Sequence, residues 1–441
     1  MFFSFCKGDT IYISRSGNNT ESCGTRLHPC ATIQYGVDLS NTGDIVYVNN
    51  GFYEISSKII ITKQITLQAG DGLVVLTCDH IKSTALYLGG NVLVDGFLIR
   101  DCDNSAVQVS GFNNSIHNTL FTNNIGTNGA AITNYGDNST SLSIVFCAFD
   151  KGYSSNDGGA ISIQTSEISS LEVYRANFTG NNSTGYGSGI FLLFTNLTIN
   201  DCIFEYNDCG NGGCGVTALG SDNVIIEDSI FRYNSGSSIL SSGSAVFVSQ
   251  TESLHIINTE IYSNSVLNLS NKLYGAGAVL IGTVQNCFIK QSKFYDNLFS
   301  VRGTHTFGGG AIQIQGNRTE TILIEDSSFY NNTVIGNFEY PAANFLINLV
   351  KDVFLTNVYS STYNQFAFKN HEYLYGYIGY IFCESAIITN SSFSDSNLIF
   401  NSKTSKGAVR GLLYSITSTN ILISNSNFDN NLLIHIILNM N

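Results

Sequence analysis

The octapeptide NDCIFEYN (Asn200–Asn207) returns one unit later as EDSIFRYN (Glu227–Asn234). Each copy sets an aspartate, Asp201 or Asp228, before a small residue, then an aromatic, then an asparagine three positions on. Aligned on the aromatic, the unit recurs at Phe121, Phe149, Phe178, Phe204, Phe231, Ile261, Phe294, Phe329, Tyr359, Phe393 and Phe428, at intervals of 26 to 35 residues. Self-similarity at this period marks a chain built from stacked supersecondary units.

Each unit carries three short apolar pieces. The first follows Gly or Ala, as in GGAISI (Gly158–Ile163) and GGAIQI (Gly309–Ile314). The second alternates, as in VII (Val224–Ile226) and ILI (Ile322–Ile324), and the third is the Phe segment. Period-two alternation bounded by Gly, Asn and Ser means strands joined by turns. Three strands per repeat of about 30 residues describe an all-β parallel β-solenoid, a single-stranded coil of about 12–13 turns. Equivalent residues then stack in columns about 4.8 Å apart. The Phe column faces inward. Eight of the eleven units place an Asn three residues later (Asn124, Asn181, Asn207, Asn234, Asn264, Asn297, Asn332, Asn431), as an internal ladder requires. Small residues such as Cys147, Cys202, Ser229 and Ser292 stand two before the aromatic and share the inward face. A leucine-rich repeat has a similar asparagine ladder, but it needs leucines at fixed offsets that this chain lacks.

Composition agrees. Among 441 residues there are 50 Asn and 42 Gly, only two Pro and no Trp, and 12% are charged. Such a chain is poor in helix formers and rich in turn formers. A formal charge of −13 without a basic cluster excludes nucleic acid as a partner and disfavours acidic polysaccharides. No apolar run reaches the ~18 residues of a membrane-spanning helix. Eleven cysteines favour an oxidising compartment, with Cys23–Cys30, Cys78–Cys102 and Cys209–Cys214 as the candidate disulfides. Eleven N-x-[ST] sequons are about what this Asn, Ser and Thr content yields by chance. The division expected is residues 1–8 as the remnant of an export signal, 9–70 as the N-terminal cap and first coil, and 71–441 as β-helix repeats, truncated C-terminally.

GGAI at Gly158 and Gly309 alternates with FxxN at Phe121, Phe178, Phe204, Phe231, Phe294, Phe329 and Phe428. In this order they resemble the polymorphic outer membrane protein repeat of the pectin-lyase-like, right-handed parallel β-helix group. The resemblance covers roughly Gly90 to the C-terminus. The segment Thr10–Ser56 is similar to the opening coil of secreted β-helix proteins, which implies a helix over Thr32–Ser40 that caps the apolar end of the solenoid. The resemblance implies a surface adhesin; the autotransporter barrel of that family has no counterpart in this sequence.

The chemistry-bearing positions follow from the columns. Asp201 and Asp228 share a column with Asn118, Asn258, Asp326, Asn390 and Asn425. Interchange with Asn, and no accompanying Lys or Arg column, reads as turn chemistry, with a Ca²⁺ site as the lesser alternative. The NTD, DD, GHG and RIK set of polygalacturonase-like enzymes and the Arg-rich motif of pectate lyases are both missing. A polysaccharide lyase or glycoside hydrolase is therefore the rival reading. Tyr262, Tyr295 and Tyr330 directly follow the column aromatic and point outward, with Tyr206 and Tyr233 one position further on. Such tyrosines suit a glycan or a cell-surface protein partner. A non-enzymatic, adhesin-like protein of the extracellular space or cell surface is the expectation.

Overall fold

The Phe strands and the alternating strands bury one residue in two, as in Ile230–Arg232 and Asn223–Glu227, whereas strands such as Val279–Ile281 bury successive residues. The computed structural model describes residues 8–79, 84–134, 136, 139–238, 242–268, 275–362, 377–396, 413–418, 420–427 and 433–438. Residues 1–7 of the expected export remnant, Phe428 and Asn431 lie outside them. The fold is an all-β parallel β-solenoid, with one short helix among the described residues. Among the described residues no helix is long and apolar enough to cross a membrane. Two units are distinguished, Met1–Ser183 with Ser188–Asn196, and Thr184–Gly187 with Leu197–Asn441.

In the first unit the Phe-type strands run Gly51–Glu54, Val74–Thr77, Leu98–Arg100, Leu120–Thr122, Ala148–Asp150 and Asn177–Thr179, each parallel to the next. Their central residues, Tyr53, Leu76, Ile99, Phe121, Phe149 and Phe178, are all buried. Phe121 stacks on Phe149 at 5.0 Å and Phe149 on Phe178 at 4.6 Å, with rings within 7° of parallel. At the start of the chain the helix spans Ile33–Leu39, and the Thr32 side chain caps it by accepting from the Tyr35 amide. Ile33, Gly36 and Val37 are its buried residues. Gly36 lets the helix approach closely, since a Cβ there would lie 2.3 Å from the Ile13 Cδ1 and that side chain would have to move. Disulfides join Cys23 to Cys30 and Cys78 to Cys102.

In the second unit the corresponding strands are Ile203–Glu205, Ile230–Arg232, Glu260–Tyr262, Lys293–Tyr295, Ser328–Tyr330, Tyr359–Thr362 and Ser392–Ser396. Phe204 and Phe231 stack at 4.6 Å, Phe294 and Phe329 at 4.9 Å, and Ile261 stands between the two pairs. Beside them runs an asparagine ladder that satisfies itself. The Asn234 Nδ2 donates to the Asn264 Oδ1 (2.9 Å) and to the Phe204 carbonyl (2.9 Å). The Asn264 Oδ1 also accepts from the Asn234 backbone amide (3.0 Å). Asn207, Asn264 and Asn297 repeat the side-chain bond to the next rung at 2.9 to 3.1 Å. A fully bonded amide in a dry core is stabilising, whereas a half-bonded one is costly. Cys209 and Cys214 form the third disulfide.

The small column has a use the sequence reading did not give it. The Ser292 hydroxyl accepts from the Thr259 amide (3.2 Å) and donates to the Lys290 carbonyl (2.7 Å). Ser327 does the same for Ser292 and Glu325 (3.1 and 2.8 Å). The thiols of Cys147, Cys202 and Cys287 are buried and belong to no disulfide. Burial pushes the Cys147 and Cys287 thiols up to about 12, so they stay protonated core groups.

One rung departs from the expected alignment. Tyr359 does not continue the Phe column: it pairs with Ser328 and is 48% exposed, while Ser360 pairs with Phe329 and is fully buried. The strand is one residue out of the expected phase, and a shift of one turns every side chain to the other face. The vacated space is filled from another strand. Phe345 packs edge-on against Phe329 at 5.7 Å and against Phe393 at 6.5 Å. Its neighbour Asn344 continues the ladder, accepting from the Asn332 Nδ2 (3.0 Å) and donating to the Ser360 Oγ (2.7 Å).

Candidate functional site

The aspartates stand at corners of the coil with a distinctive backbone conformation. Asn118, Asp201, Asp228, Asn258, Asp326, Asn357 and Asn390 all have φ between 46° and 54°. This is the left-handed region, where Asn and Asp are enriched several-fold among non-glycine residues. The Asp228 carboxylate accepts from the Asn258 Nδ2 (2.6 Å) and the Asn200 Nδ2 (3.3 Å). Asp326 accepts from the Asn357 Nδ2 in the same manner (2.8 Å). Asp201 and Asp228 thus sit on neighbouring rungs as turn residues, with the Asp228 carboxylate held by amides rather than by an acid–base partner. Among the described residues no group of three or more His, Cys, Asp or Glu gathers closely enough to hold a metal ion.

The outer face of the Phe sheet in the second unit is different. Register places Glu205, Arg232, Tyr262, Tyr295, Tyr330 and Ser361 in one outward column. The next column over carries Ile203, Ile230, Glu260, Lys293, Ser328 and Tyr359. The rings of Tyr262 and Tyr295 stack at 4.6 Å and those of Tyr295 and Tyr330 at 4.9 Å, within 6° of parallel. Each is half-buried. At one end Arg232 pairs with Glu205 (2.7 Å) and donates to the Tyr262 hydroxyl (3.1 Å). Those two hydrogen bonds, the Tyr262 one first, hold the guanidinium even more firmly protonated than usual. Alongside, Glu260 takes a salt bridge from Lys293 (2.7 Å) and a hydrogen bond from the Tyr295 hydroxyl (3.3 Å). Burial first, then the Glu260 charge, pushes the Tyr295 hydroxyl above the ordinary tyrosine value; burial does the same for Tyr330.

Tyr206 and Tyr233 add a second pair, stacked at 5.1 Å and 57% and 43% exposed. Both have positive φ (56° and 55°), a conformation unusual for an aromatic residue. Tyr233 meets Tyr262 edge-on at 6.0 Å, so five tyrosines form one continuous surface across five rungs. The stacking also limits what this surface can do. The rings of Tyr262 and Tyr295 cover one another's faces, and their hydroxyls are already engaged by Arg232 and Glu260. The charged frame of Glu205, Arg232, Glu260 and Lys293 escaped sequence reading, because its partners are 27 to 33 residues apart and meet only once the register is known.

The first unit offers less. A hollow of about 300 Å³ lined by Gln64, Thr66, Asn91, Asn113 and Ser115 holds no acid, base or aromatic side chain.

Comparison with known proteins finds distant relatives in sequence and distant likenesses among solved structures. The chain is 23% identical over 362 residues to metabotropic glutamate receptor-like protein R of Dictyostelium discoideum, covering 73% of this chain and 20% of that one. It is 25% identical over 332 residues to metabotropic glutamate receptor-like protein Q of the same organism, covering 69% and 25%. The chain therefore spans about a fifth to a quarter of the length of these relatives. Among solved structures, the complex of XylC with xylose aligns with a TM-score of 0.41 at 9% identity, over 94% of this chain and 86% of that one. A rhamnogalacturonan lyase aligns with a TM-score of 0.24 at 12% identity, over 91% and 87%. No family model matches the chain.

Proposed function

We propose that this chain is a non-enzymatic, adhesin-like β-helix of the extracellular space or cell surface, presenting its tyrosine face to a glycan or protein partner. The observation that carries the reading is the five-rung tyrosine surface from Tyr206 to Tyr330, with the Tyr262 hydroxyl held by Arg232 and the Tyr295 hydroxyl by Glu260. Ordered aromatic edges and hydroxyls on a rigid sheet give a partner both apolar contact and fixed hydrogen-bonding groups at little entropic cost. The net charge of −13 favours neutral over acidic glycans. Three disulfides suit an oxidising compartment, and the receptor-like names of the two relatives point to the cell surface. The alternation of GGAI with FxxN supports kinship with the polymorphic outer membrane protein repeat.

The rival reading, a polysaccharide lyase or hydrolase, requires acids free to exchange protons. The Asp228 carboxylate is instead bonded to two amides at a left-handed corner. Two measurements separate the readings. Purified protein is expected to leave uronic-acid and neutral glycans uncleaved, with or without Ca²⁺, and to bind on a glycan array through a surface lost in the Tyr262/Tyr295/Tyr330 triple Ala variant. Clear cleavage that disappears in Asp228→Asn overturns the proposal.

A further inference from the structure

The tyrosine ladder stops abruptly. Tyr262, Tyr295 and Tyr330 fill three successive outward positions, and the next position in register is Ser361. One face of the Tyr330 ring is covered by Tyr295 at 4.9 Å. Among the described residues no ring lies on its other face. Below that face lies the short side chain of Ser361, and in the neighbouring column of the same rung stands Tyr359, 48% exposed. The three residues form a step: an aromatic wall, a small polar floor and an exposed aromatic flank. Asn331, exposed directly after Tyr330 with φ of 54°, stands at its rim.

The dimensions follow from the fold. Neighbouring rungs are separated by about 4.8 Å, which is one ring thickness in a stack. The space over Ser361 is therefore the place of the missing fourth ring. We propose that this step is a saccharide subsite, in which one pyranose ring of a neutral glycan lays its C–H face on Tyr330 and takes the position a fourth tyrosine would occupy. The pyranose hydroxyls then lie at its edge, within reach of Ser361, Asn331 and the solvent. Among the described residues Tyr330 has a ring on one face only, whereas Tyr295 is covered on both sides and Tyr262 meets Tyr233 edge-on beyond its stacked face. Ser361 itself carries no charge, and the acidic balance of the chain selects a neutral sugar over an acidic one.

The inference rests on the proposed glycan-binding function, and its test is built to fail separately from it. The decisive variant is Ser361→Tyr, which completes the ladder and occupies the step with a protein ring. Binding of cellohexaose, maltohexaose and chitohexaose to the full chain is measured by calorimetry and by saturation-transfer NMR. Thermal unfolding checks that each variant folds. Ser361→Tyr is expected to retain or raise the melting temperature and to weaken binding at least tenfold. Tyr330→Ala is expected to weaken it similarly, and Ser361→Ala, which keeps the step open, to leave it within twofold. Wild-type binding that survives unchanged in Ser361→Tyr overturns the subsite and leaves the glycan reading standing, with the sugar elsewhere on the face. Absence of wild-type binding to all three probes overturns the subsite together with the glycan reading.

Discussion

From Phe204 to Phe329 each rung of the second unit brings its own buried apolar residue and its own ladder asparagine, whereas the rung of Tyr359–Thr362 brings neither to the core. At the regular rungs the Phe segment is self-sufficient: Phe294 fills the column, and Asn297 ties its turn to the next rung. At the irregular rung Ser360 is too small and Tyr359 faces outward, so Phe345 and Asn344 arrive from a different strand to do both jobs. The comparison shows that the column is a demand of the packed interior and not a property of one strand. Any side chain that reaches the site with the right volume and donors meets it.

The sharpest way to break this comparison is to empty the column at both kinds of rung. Phe204→Ala and Phe345→Ala are each expected to destabilise by about 3–5 kcal/mol in urea unfolding, as for buried aromatics generally. Equal losses would show that the borrowed ring is as integral as the native one. A loss below about 1 kcal/mol at Phe204 would mean that the inward column is misassigned.

Next comes an attempt to regularise the odd rung. Ser360→Phe restores the repeat in sequence, but Phe345 already fills the space, so overpacking is expected to cost about 1–3 kcal/mol. Combined with Phe345→Ala, the same substitution should recover much of that loss, giving a clear coupling energy in a double-mutant cycle. Additive effects would indicate that the two rings do not compete for one site.

The same rung marks where the fold could and could not be read from the sequence. Strand periodicity, the Phe and Asn columns and the capping helix were legible because each is a local pattern repeated many times. Tyr359 was misplaced because an aromatic stood where the alignment wanted one. The corrective signal was present in the corner column. Asn357, in the left-handed region, lies three residues before Ser360, as Asp201 does before Phe204 and Asp228 before Phe231. The tyrosine column was also legible, but its ring stacking and its frame of Arg232, Glu205, Glu260 and Lys293 were not. Repeat lengths vary from 26 to 35 residues, so cross-rung partners cannot be paired without the register.

The gentlest probe concerns the outer ladder, which ends at the rung where the inner one changes source. The two endings have one cause. A tyrosine shifted by one position at 359 serves neither the inward Phe column at 360 nor the outward Tyr column at 361. Up to that point the outer rings are packed tightly enough that burial, with Glu260 adding to it, raises the Tyr295 hydroxyl above its ordinary value of 10.0. A folded state that holds this proton more tightly than the unfolded chain keeps its full stability below pH 10, and loses it as pH climbs from there toward the raised value. Melting temperature should therefore fall between pH 9.5 and 11.5, and Tyr295→Phe, which has no proton to lose, should flatten that fall. The variant also gives up the hydrogen bond to Glu260, so its melting temperature at neutral pH is expected to be slightly lower. A wild-type and a variant curve that run parallel through the alkaline range would show that the ladder is looser than the stack of Tyr262, Tyr295 and Tyr330 implies, and that its edges are not the fixed array a partner would need.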